Sequence, residues 1–317
     1  MQLAPSQIVN TLGIITAVYI LSKVFDLLWV FSRPSNLHRY LHRKNGEPAW
    51  ALVTGASDGI GKALCFELAS RGFNVVLHGR NRSKLETVHD ALRQAHPTRE
   101  FRVLILDATT CQKDGVSLAP LAAELADLHL TVLINNAGGQ RDDFRCMHEY
   151  TKQELIDSVN LNATFTLLMT HAFLPTLIKN APSLCVNVGS LADNGVPTVA
   201  SYAASKNFVN GLSRSLANEM LLQGHDVTFM AMRVGMVTGT VEVKMKRTLT
   251  TPDTVTFARA LLNRVGCGRT VVVPYVAHAL QQMAVDLLPE GLKNRILVSE
   301  ISKLKAEGLK EEKRKAS

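Results

Sequence analysis

The chain lacks the cysteine and histidine patterns that mark metal sites and disulfide frameworks. Its 317 residues include only five cysteines, an odd number, and none stands in a CxxC pair. Scattered cysteines of this kind fit a reducing compartment, with the thiols buried as small apolar groups. The ten histidines show no metal-ligand spacing either. We therefore predict no metal.

Zinc-finger spacings and aromatic RNA-binding signatures are also absent, although the chain is basic. The formal net charge is +8 at pH 7 with neutral histidines, a balance that suits nucleic acid, an anionic membrane surface or an anionic substrate. Without a recognition motif, nucleic acid is the least favoured of these partners. Much of the positive charge lies just after an N-terminal apolar segment and at the extreme C-terminus.

The N-terminal apolar segment, Ile8 to Phe31, reads IVNTLGIITAVYILSKVFDLLWVF. It reaches the ~20 apolar residues that cross a bilayer, and it is too long for the core of a signal peptide. Lys23 and Asp26 interrupt it, and their spacing allows them to pair on one face of a helix. The segment predicts a single membrane span, and the alternative is a helix lying in the headgroup region.

Basic residues flank this segment on one side only. No Lys or Arg precedes it, whereas SRPSNLHRYLHRK follows it. The positive-inside rule therefore places the rest of the chain in the cytosol.

Beyond Trp50, short apolar runs alternate with helical patterns. The candidate strands are WALVTG, NVVLHG, FRVLILD, LTVLINN, SLCVNVGS, DVTFMAMRVG and TVVVP. Several are almost continuously apolar, as expected of strands covered on both faces of a sheet. The helical stretches begin near Gly61, Ser83, Leu118, Thr151, Tyr202 and Pro252. This alternation predicts an α/β fold, a Rossmann-type doubly wound parallel sheet of about seven strands with an N-terminal transmembrane helix.

The first strand runs directly into TGASDGIG, Thr54 to Gly61. Gly55, Gly59 and Gly61 allow a tight reversal of the chain and a close approach of the backbone to a pyrophosphate at a helix N-terminus. An ordinary turn is the alternative. The position between the first strand and the first helix of the sheet favours dinucleotide binding.

The second strand ends without the acidic residue that bonds the ribose 2′-hydroxyl of NAD. Its end reads LHGRNRSKL, with Gly79 in the expected place and Arg80 next to it. An arginine there can pair with a 2′-phosphate through two parallel hydrogen bonds, and Arg82 can assist it. We predict NADP(H) as the cofactor; the alternative is two solvated loop arginines.

The stretch SYAASK places Tyr202 and Lys206 four residues apart. On a helix these side chains share one face, and a nearby ammonium lowers the pKa of a phenol. The tyrosine thereby becomes a usable proton donor or acceptor. A surface Tyr and Lys on an amphipathic helix is the alternative for so short a pattern. Other polar candidates follow predicted strands or lie in a long apolar helix: Asp107, NNAG at 135–138, Ser190 and Asn160.

The order TGxxxGxG, NNAG, Ser, YxxxK and VGMVTGT resembles the short-chain dehydrogenase/reductase family across about residues 49 to 275. Four features are most similar to one branch of that family: the N-terminal span and the stretches TGASDGIGKAL, GRNRSKLE and PDTVTFARALL. This branch holds the membrane-anchored very-long-chain 3-ketoacyl-CoA reductases and related 17β-hydroxysteroid dehydrogenases.

The resemblance implies a role for each motif residue. Tyr202 matches the catalytic acid/base, and Lys206 matches the residue that holds the nicotinamide ribose and lowers the pKa of the tyrosine. Ser190 matches the hydroxyl that polarises the substrate carbonyl, and Asn160 matches the asparagine of a water-linked proton relay. The expected cofactor-binding residues are Gly55, Ser57, Gly59, Ile60, Gly61, Arg80, Asp107, Asn136, Tyr202 and Lys206.

Three positions depart from the family pattern on the substrate side. The interval from Ser190 to Tyr202 is one residue shorter than usual, and Val234 replaces the proline expected before Gly235. Gly189 stands where many relatives have a second serine. None of these changes removes a catalytic group.

The predicted organisation is a membrane anchor and basic linker at 1–48, an NADP-binding reductase domain at 49–275, and an amphipathic helix with a charged tail at 276–317. The implied function is NADPH-dependent reduction of a lipophilic ketone, foremost a long-chain 3-ketoacyl-CoA, at the endoplasmic reticulum membrane. Alternatives are a sterol, terpenoid or polyketide ketone, and a non-catalytic NADP-binding scaffold. The predicted partners are a lipophilic small-molecule substrate and the membrane, with a homo-oligomer left open and no nucleic acid.

Two segments bear on the substrate. Lys244, Lys246 and Arg247 follow Gly235 in a loop, where they can meet the phosphates of coenzyme A, face the membrane or be solvated. The amphipathic stretch YVAHALQQMAVDLLPEGL predicts a helix rather than a second span. It either packs beside the active site, rests on the bilayer or caps the core.

Overall fold

The computed structural model describes residues 4–44, 46–111, 118–140, 143–240 and 245–316, with the backbone alone for 119 and 307–316. Its centre is a seven-stranded sheet in the order β3-β2-β1-β4-β5-β6-β7, with every neighbouring pair parallel. The strands are β1 Trp50–Thr54, β2 Asn74–Gly79, β3 Phe101–Ile105, β4 Leu130–Asn135, β5 Ser183–Ser190, β6 Val227–Val234 and β7 Val271–Val272. The predicted doubly wound parallel sheet is confirmed.

Helices cover both faces of this sheet. Helices α2, α3 and α8 pack on one face around Leu64 and Phe257, while α4, α6 and α7 pack on the other around Phe165 and Met220. The helices of the described residues are α1 Pro5–Ser32, α2 Gly59–Ser70, α3 Arg82–Ala95, α4 Ala119–Glu124, α5 Lys152–Val159, α6 Phe165–Lys179, α7 Ala200–Gln223, α8 Thr254–Asn263, α9 Val276–Asp286 and α10 Glu290–Ala316.

The edge strand β7 is shorter than the predicted TVVVP. Only Val271 and Val272 pair with β6. Pro274 has no N–H to donate to a ladder, which limits pairing at this end of the strand.

The carboxyl ends of the strands meet along one edge of the sheet. Strand order runs outward from β1 to β3 in one direction and from β4 to β7 in the other, and ligands bind in the crevice at such a switch point. Strand β1 leads into Gly55, β4 leads into Asn136, and β5 ends at Ser190. The fold therefore gathers the predicted site residues at one edge.

The basic linker after α1 runs along the opposite edge, where the strands begin. The N–H of Asn36 donates to the carbonyl of Val265 at 2.9 Å. The buried Tyr40 donates through its hydroxyl to Thr228 Oγ1 at 2.9 Å, and its carbonyl accepts from Thr131 Oγ1 at 2.7 Å. The linker is packed onto the sheet domain along this edge.

Helix α1 is apolar and mostly exposed. Its most apolar 18-residue window has a mean hydropathy of 1.9 and is 6% buried. The stretch Lys152–Lys179 is also long and apolar enough to cross a membrane, but it is 44% buried and belongs to the core. Helix α1 is therefore the candidate transmembrane helix.

The two charged residues of α1 do not pair with each other as the sequence suggested. The Lys23 ammonium lies 5.4 Å from the centroid of the Tyr19 ring. Asp26 pairs with Arg269, in the loop before β7. The aspartate instead joins the C-terminal end of α1 to the sheet domain.

Candidate active site

The loop between β1 and α2 is shaped by glycines. Gly55 and Gly59 adopt left-handed conformations, with φ of +68° and +57°, which residues with a Cβ rarely take. A Cβ on Gly61 would lie 2.1 Å from the carbonyl oxygen of Gly55, so only glycine fits there. Ser57 and Ile60 are half-buried in the same turn. The result is a cradle of backbone at the start of α2, the geometry that receives a pyrophosphate.

Two polar side chains brace this cradle. Asn136 donates through Nδ2 to the Thr54 carbonyl at 2.9 Å, which ties the end of β4 to the end of β1. Asp58 caps α2 by accepting from the Gly59 N–H at 2.7 Å. These hydrogen bonds, together with the glycine conformations, hold the loop in its shape.

The next two strand ends lie beside the cradle. Gly79 is buried at the end of β2, and the following Arg80 is exposed. A Cβ on Gly79 would meet Leu85 at 3.4 Å, an ordinary contact. Asp107 follows β3 and accepts from the N–H and the hydroxyl of Thr109 at 2.9 and 2.8 Å. This arrangement leaves the Arg80 guanidinium in solvent, where a 2′-phosphate can reach it.

Ser190 ends β5 and is 8% exposed. Its Oγ accepts a hydrogen bond from the Ala192 N–H at 3.1 Å and starts the 3₁₀ turn Leu191–Asn194. A serine hydroxyl that accepts one hydrogen bond still has a hydrogen to donate. The backbone of the turn thus fixes the oxygen of Ser190 and leaves a donor for a substrate carbonyl.

Tyr202 and Lys206 lie in the first two turns of α7. Lys206 is 4% exposed, its Nζ donates to the Val188 carbonyl of β5 at 2.8 Å, and the same Nζ lies 5.5 Å from the centroid of the Tyr202 ring. Burial lowers the pKa of Lys206 to about 8, because loss of water disfavours the charged form. At pH 7 the lysine still carries its proton for most of the time.

The structure brings Asn162, rather than Asn160, beside Lys206. Asn162 lies in the π-helical turn Asn160–Thr164 and exchanges hydrogen bonds of 3.0 Å with the N–H and the carbonyl of Gly139. A Cβ on Gly138 would lie 2.8 Å from Asn162 Oδ1 and 3.0 Å from Lys206 Nζ, so the two side chains converge there. We therefore propose that Asn162, rather than Asn160, has the proton-relay role.

Helix α9 packs against the loop that follows β6. His278 is buried, its Nε2 lies 3.1 Å from the carbonyls of Met236 and Thr250, and burial lowers its pKa. A Cβ on Gly235 would lie 2.8 Å from the His278 ring. The neutral imidazole therefore fastens α9 to both ends of the loop that follows β6.

The basic residues of this loop differ in their surroundings. Lys246 and Arg247 are both exposed, and Arg247 also pairs with Asp253 at 2.8 Å. Lys244 lies outside the described residues. Of the three predicted phosphate contacts, the ion pair thus makes Arg247 less available than Lys246.

The sequence profile of the short chain dehydrogenases matches residues 49–250. The chain belongs to this family. A very-long-chain 3-oxoacyl-CoA reductase of Caenorhabditis elegans is 34% identical over 278 residues, 86% of this chain and 86% of the relative. A very-long-chain 3-oxoacyl-CoA reductase of Scheffersomyces stipitis is 34% identical over 283 residues, 85% of this chain and 80% of the relative.

Solved structures of the family share the fold. The crystal structure of a metagenomic short-chain oxidoreductase in complex with NADP is 28% identical, with a TM-score of 0.57, and the match covers 71% of this chain and 96% of that one. As a short-chain dehydrogenase the chain is an oxidoreductase that uses a nicotinamide cofactor. The glycine cradle, with no room for a side chain at Gly61, fits the pyrophosphate of such a cofactor.

Proposed function

We propose that this chain reduces the ketone of a long-chain 3-ketoacyl-CoA to an alcohol, with NADPH, at a membrane surface. The observation that carries the proposal is the buried ammonium of Lys206 beside the Tyr202 ring, at the strand edge where Ser190 lies. A positive charge in a site of low exposure favours the phenolate over the phenol. Tyr202 is thereby suited to give a proton to a carbonyl oxygen.

Each residue has one task in this scheme. When bound, the nicotinamide would supply a hydride to the carbonyl carbon. The Ser190 hydroxyl donates to the carbonyl oxygen and orients it, and Tyr202 protonates that oxygen as negative charge develops. Lys206 stabilises the phenolate that remains, and Asn162 holds the loop after β4 against Lys206.

Support for an acyl-CoA comes from the names of the two relatives and from the substrate-side loop. Among the described residues of this loop, the large apolar side chains of Met236, Met245 and Leu249 are exposed. They can line the path of an acyl chain, while Lys246 offers a charge to the phosphates of coenzyme A. Helix α1 would hold the enzyme at the membrane, in the endoplasmic reticulum with the sheet domain in the cytosol, where a water-insoluble substrate is available.

The test is NADPH consumption by the purified full-length protein with 3-ketoacyl-CoAs of increasing chain length, beside steroid and polyketide ketones. Tyr202→Phe keeps the ring and removes the proton donor, so we expect turnover to fall by roughly 10²–10⁴-fold while NADPH still binds. Turnover of Tyr202→Phe within a few-fold of wild type would refute the mechanism. Activity on steroid or polyketide ketones alone would favour the alternative substrates.

A further inference from the structure

A buried ion pair lies directly behind the turn that follows Ser190. Asp193 is the third residue of the turn after Ser190, and its side chain is 3% exposed. Its Oδ1 accepts from Arg233 Nη2 at 2.5 Å and its Oδ2 accepts from Arg233 Nε at 2.6 Å. This two-pronged contact, with the Arg233 side chain 17% exposed, fixes the orientation of both planar groups.

The pair joins β6 to two elements that carry site residues, the turn after Ser190 and helix α7. Arg233 stands on β6 opposite Gly189, the residue before Ser190. On α7, Asn210 donates to Asp193 Oδ2 at 2.5 Å, one turn beyond Lys206. Asn207 donates to the Asp193 carbonyl at 3.3 Å. Through Asp193, the turn after Ser190 is attached both to β6 and to the helix that carries Tyr202.

Stability alone does not account for this arrangement. Placing two charges in the interior costs desolvation energy, and apolar side chains of similar volume often stabilise a fold as well. A bidentate pair does supply a fixed geometry, which apolar contacts do not. The turn needs such a constraint because only twelve positions separate Ser190 from Tyr202, and the backbone between them includes Gly195 with φ of +94°.

We propose that Asp193 and Arg233 are positioning residues that hold the Ser190 hydroxyl at its working distance from Tyr202. The inference rests on the proposed roles of Ser190 and Tyr202. Neither Asp193 nor Arg233 needs to touch the substrate. Their effect passes through the 3₁₀ turn that the Ala192 N–H makes with Ser190 Oγ.

The experiment compares Asp193→Asn, which keeps the shape and removes the charge, with Arg233→Lys, which keeps the charge and removes the fork. Asp226→Asn is the matched control, because Asp226 forms an exposed ion pair with Arg39 at the opposite end of β6. Displacing a reacting group by about 1 Å costs on the order of 10²-fold. We therefore expect kcat to fall by roughly 10- to 100-fold in both variants, with little change in the Kd for NADPH and none in the control.

Deuterium uptake of residues 190–200 gives a readout that does not depend on turnover. We expect faster uptake in Asp193→Asn and Arg233→Lys and unchanged uptake in Asp226→Asn. Unchanged uptake in the two variants, or kcat close to that of wild type, would overturn the proposal. A parallel loss of NADPH affinity would also overturn it, since that indicates a general disruption.

The two proposals fail in different ways. If Asp193→Asn does not fold, Arg233→Lys still tests the proposal, because its ammonium keeps a positive charge beside the buried Asp193 carboxylate. If the wild-type protein reduces no ketone, the proposed function fails, and deuterium uptake still decides whether the pair holds the turn.

Discussion

At the residue scale, the side chains of Asn162 and Lys206 converge at Gly138. Any side chain there would collide with Asn162 Oδ1 and with Lys206 Nζ, which a Cβ would approach to 2.8 and 3.0 Å. Both groups are buried, and a buried ammonium needs hydrogen-bond partners. Lys206 donates to the Val188 carbonyl, while Asn162 Oδ1 approaches the same glycine from the other chain segment. Asn162, rather than Asn160, is therefore the asparagine that converges with Lys206 at Gly138.

This geometry predicts different outcomes for the two neighbouring asparagines. Asn162→Ala should lower kcat by on the order of 10- to 100-fold, since it removes the amide beside Lys206 and loosens the loop after β4. Asn160→Ala should stay within a few-fold of wild type, because Asn160 is not among the nearest neighbours of Gly138, where Asn162 and Lys206 converge. Steady-state kinetics with matched NADPH binding curves make the comparison. Equal losses in the two variants would contradict the assignment.

The same residues show what the sequence could predict at this scale. Helical spacing predicts that Tyr202 and Lys206 share a face, because an uninterrupted helix fixes which residues lie on one side. The roles expected of them came from the resemblance to the family. The asparagine did not follow, because Asn-Leu-Asn offers two candidates and the π-helical turn Asn160–Thr164 shifts the register within the helix. The ion pair of Asp193 and Arg233 was also missed, since 40 residues separate its members.

At the scale of elements, the end of β2 carries the proposed preference for NADPH. The strand ends at a buried glycine with room for a Cβ, and the exposed Arg80 follows. Arg82, the next basic residue, pairs with Glu86 on α3 at 3.6 Å. Arg80 is therefore better placed than Arg82 to meet a 2′-phosphate.

We expect Arg80→Ala to weaken NADPH binding by roughly 10- to 100-fold, the loss of a hydrogen-bonded charge pair of ~1.5–3 kcal/mol. NADH binding should change little. Arg80→Ala with Gly79→Asp should weaken NADPH further and improve NADH, because a carboxylate there can bond the ribose 2′-hydroxyl. Fluorescence titration with both cofactors is the measurement, and the control is Arg93→Ala, an exposed arginine on helix α3. Equal affinity of the wild-type protein for NADPH and NADH would refute the assignment.

The elements themselves were largely predictable from the sequence. All seven strands and their order along the chain follow from apolar runs between turn residues, because strands covered on both faces read as continuous apolar stretches. The packing of the linker was not predictable, since Tyr40 with Thr228 and Asn36 with Val265 are contacts between distant parts of the chain. No pattern within a short stretch of the sequence indicates these contacts.

At the scale of the whole molecule, the last two turns of α1 belong to the sheet domain as much as to the anchor. Val30 is 7% exposed, its carbonyl accepts from Arg264 Nη1 at 2.6 Å, and the same guanidinium lies 5.0 Å from the Phe31 ring centroid. Asp26 adds its ion pair with Arg269. The helix end is therefore part of the packed domain, while the preceding turns are exposed and apolar.

Two truncations should consequently behave differently. Deleting residues 1–22 removes the exposed apolar turns, so we expect the protein to leave lipid vesicles in a flotation assay and to keep both its NADPH affinity and its Tm. Deleting residues 1–32 also removes Val30, Phe31 and the Asp26 ion pair. Lost burial of ~1.5–3 kcal/mol for one apolar side chain should then lower the Tm by roughly 3–10 °C, with NADPH binding retained.

The outcomes separate two models of membrane attachment. The same Tm for both truncations would show that the end of α1 does not stabilise the sheet domain. Vesicle binding that survives deletion of 1–22 would show that α1 is not the sole attachment. The exposed apolar residues of α9 and α10, such as Leu280, Val285 and Ile296, would then be the surface to test. Helix α9 lies against the loop that follows β6 and would bring the mouth of the proposed site to the lipid.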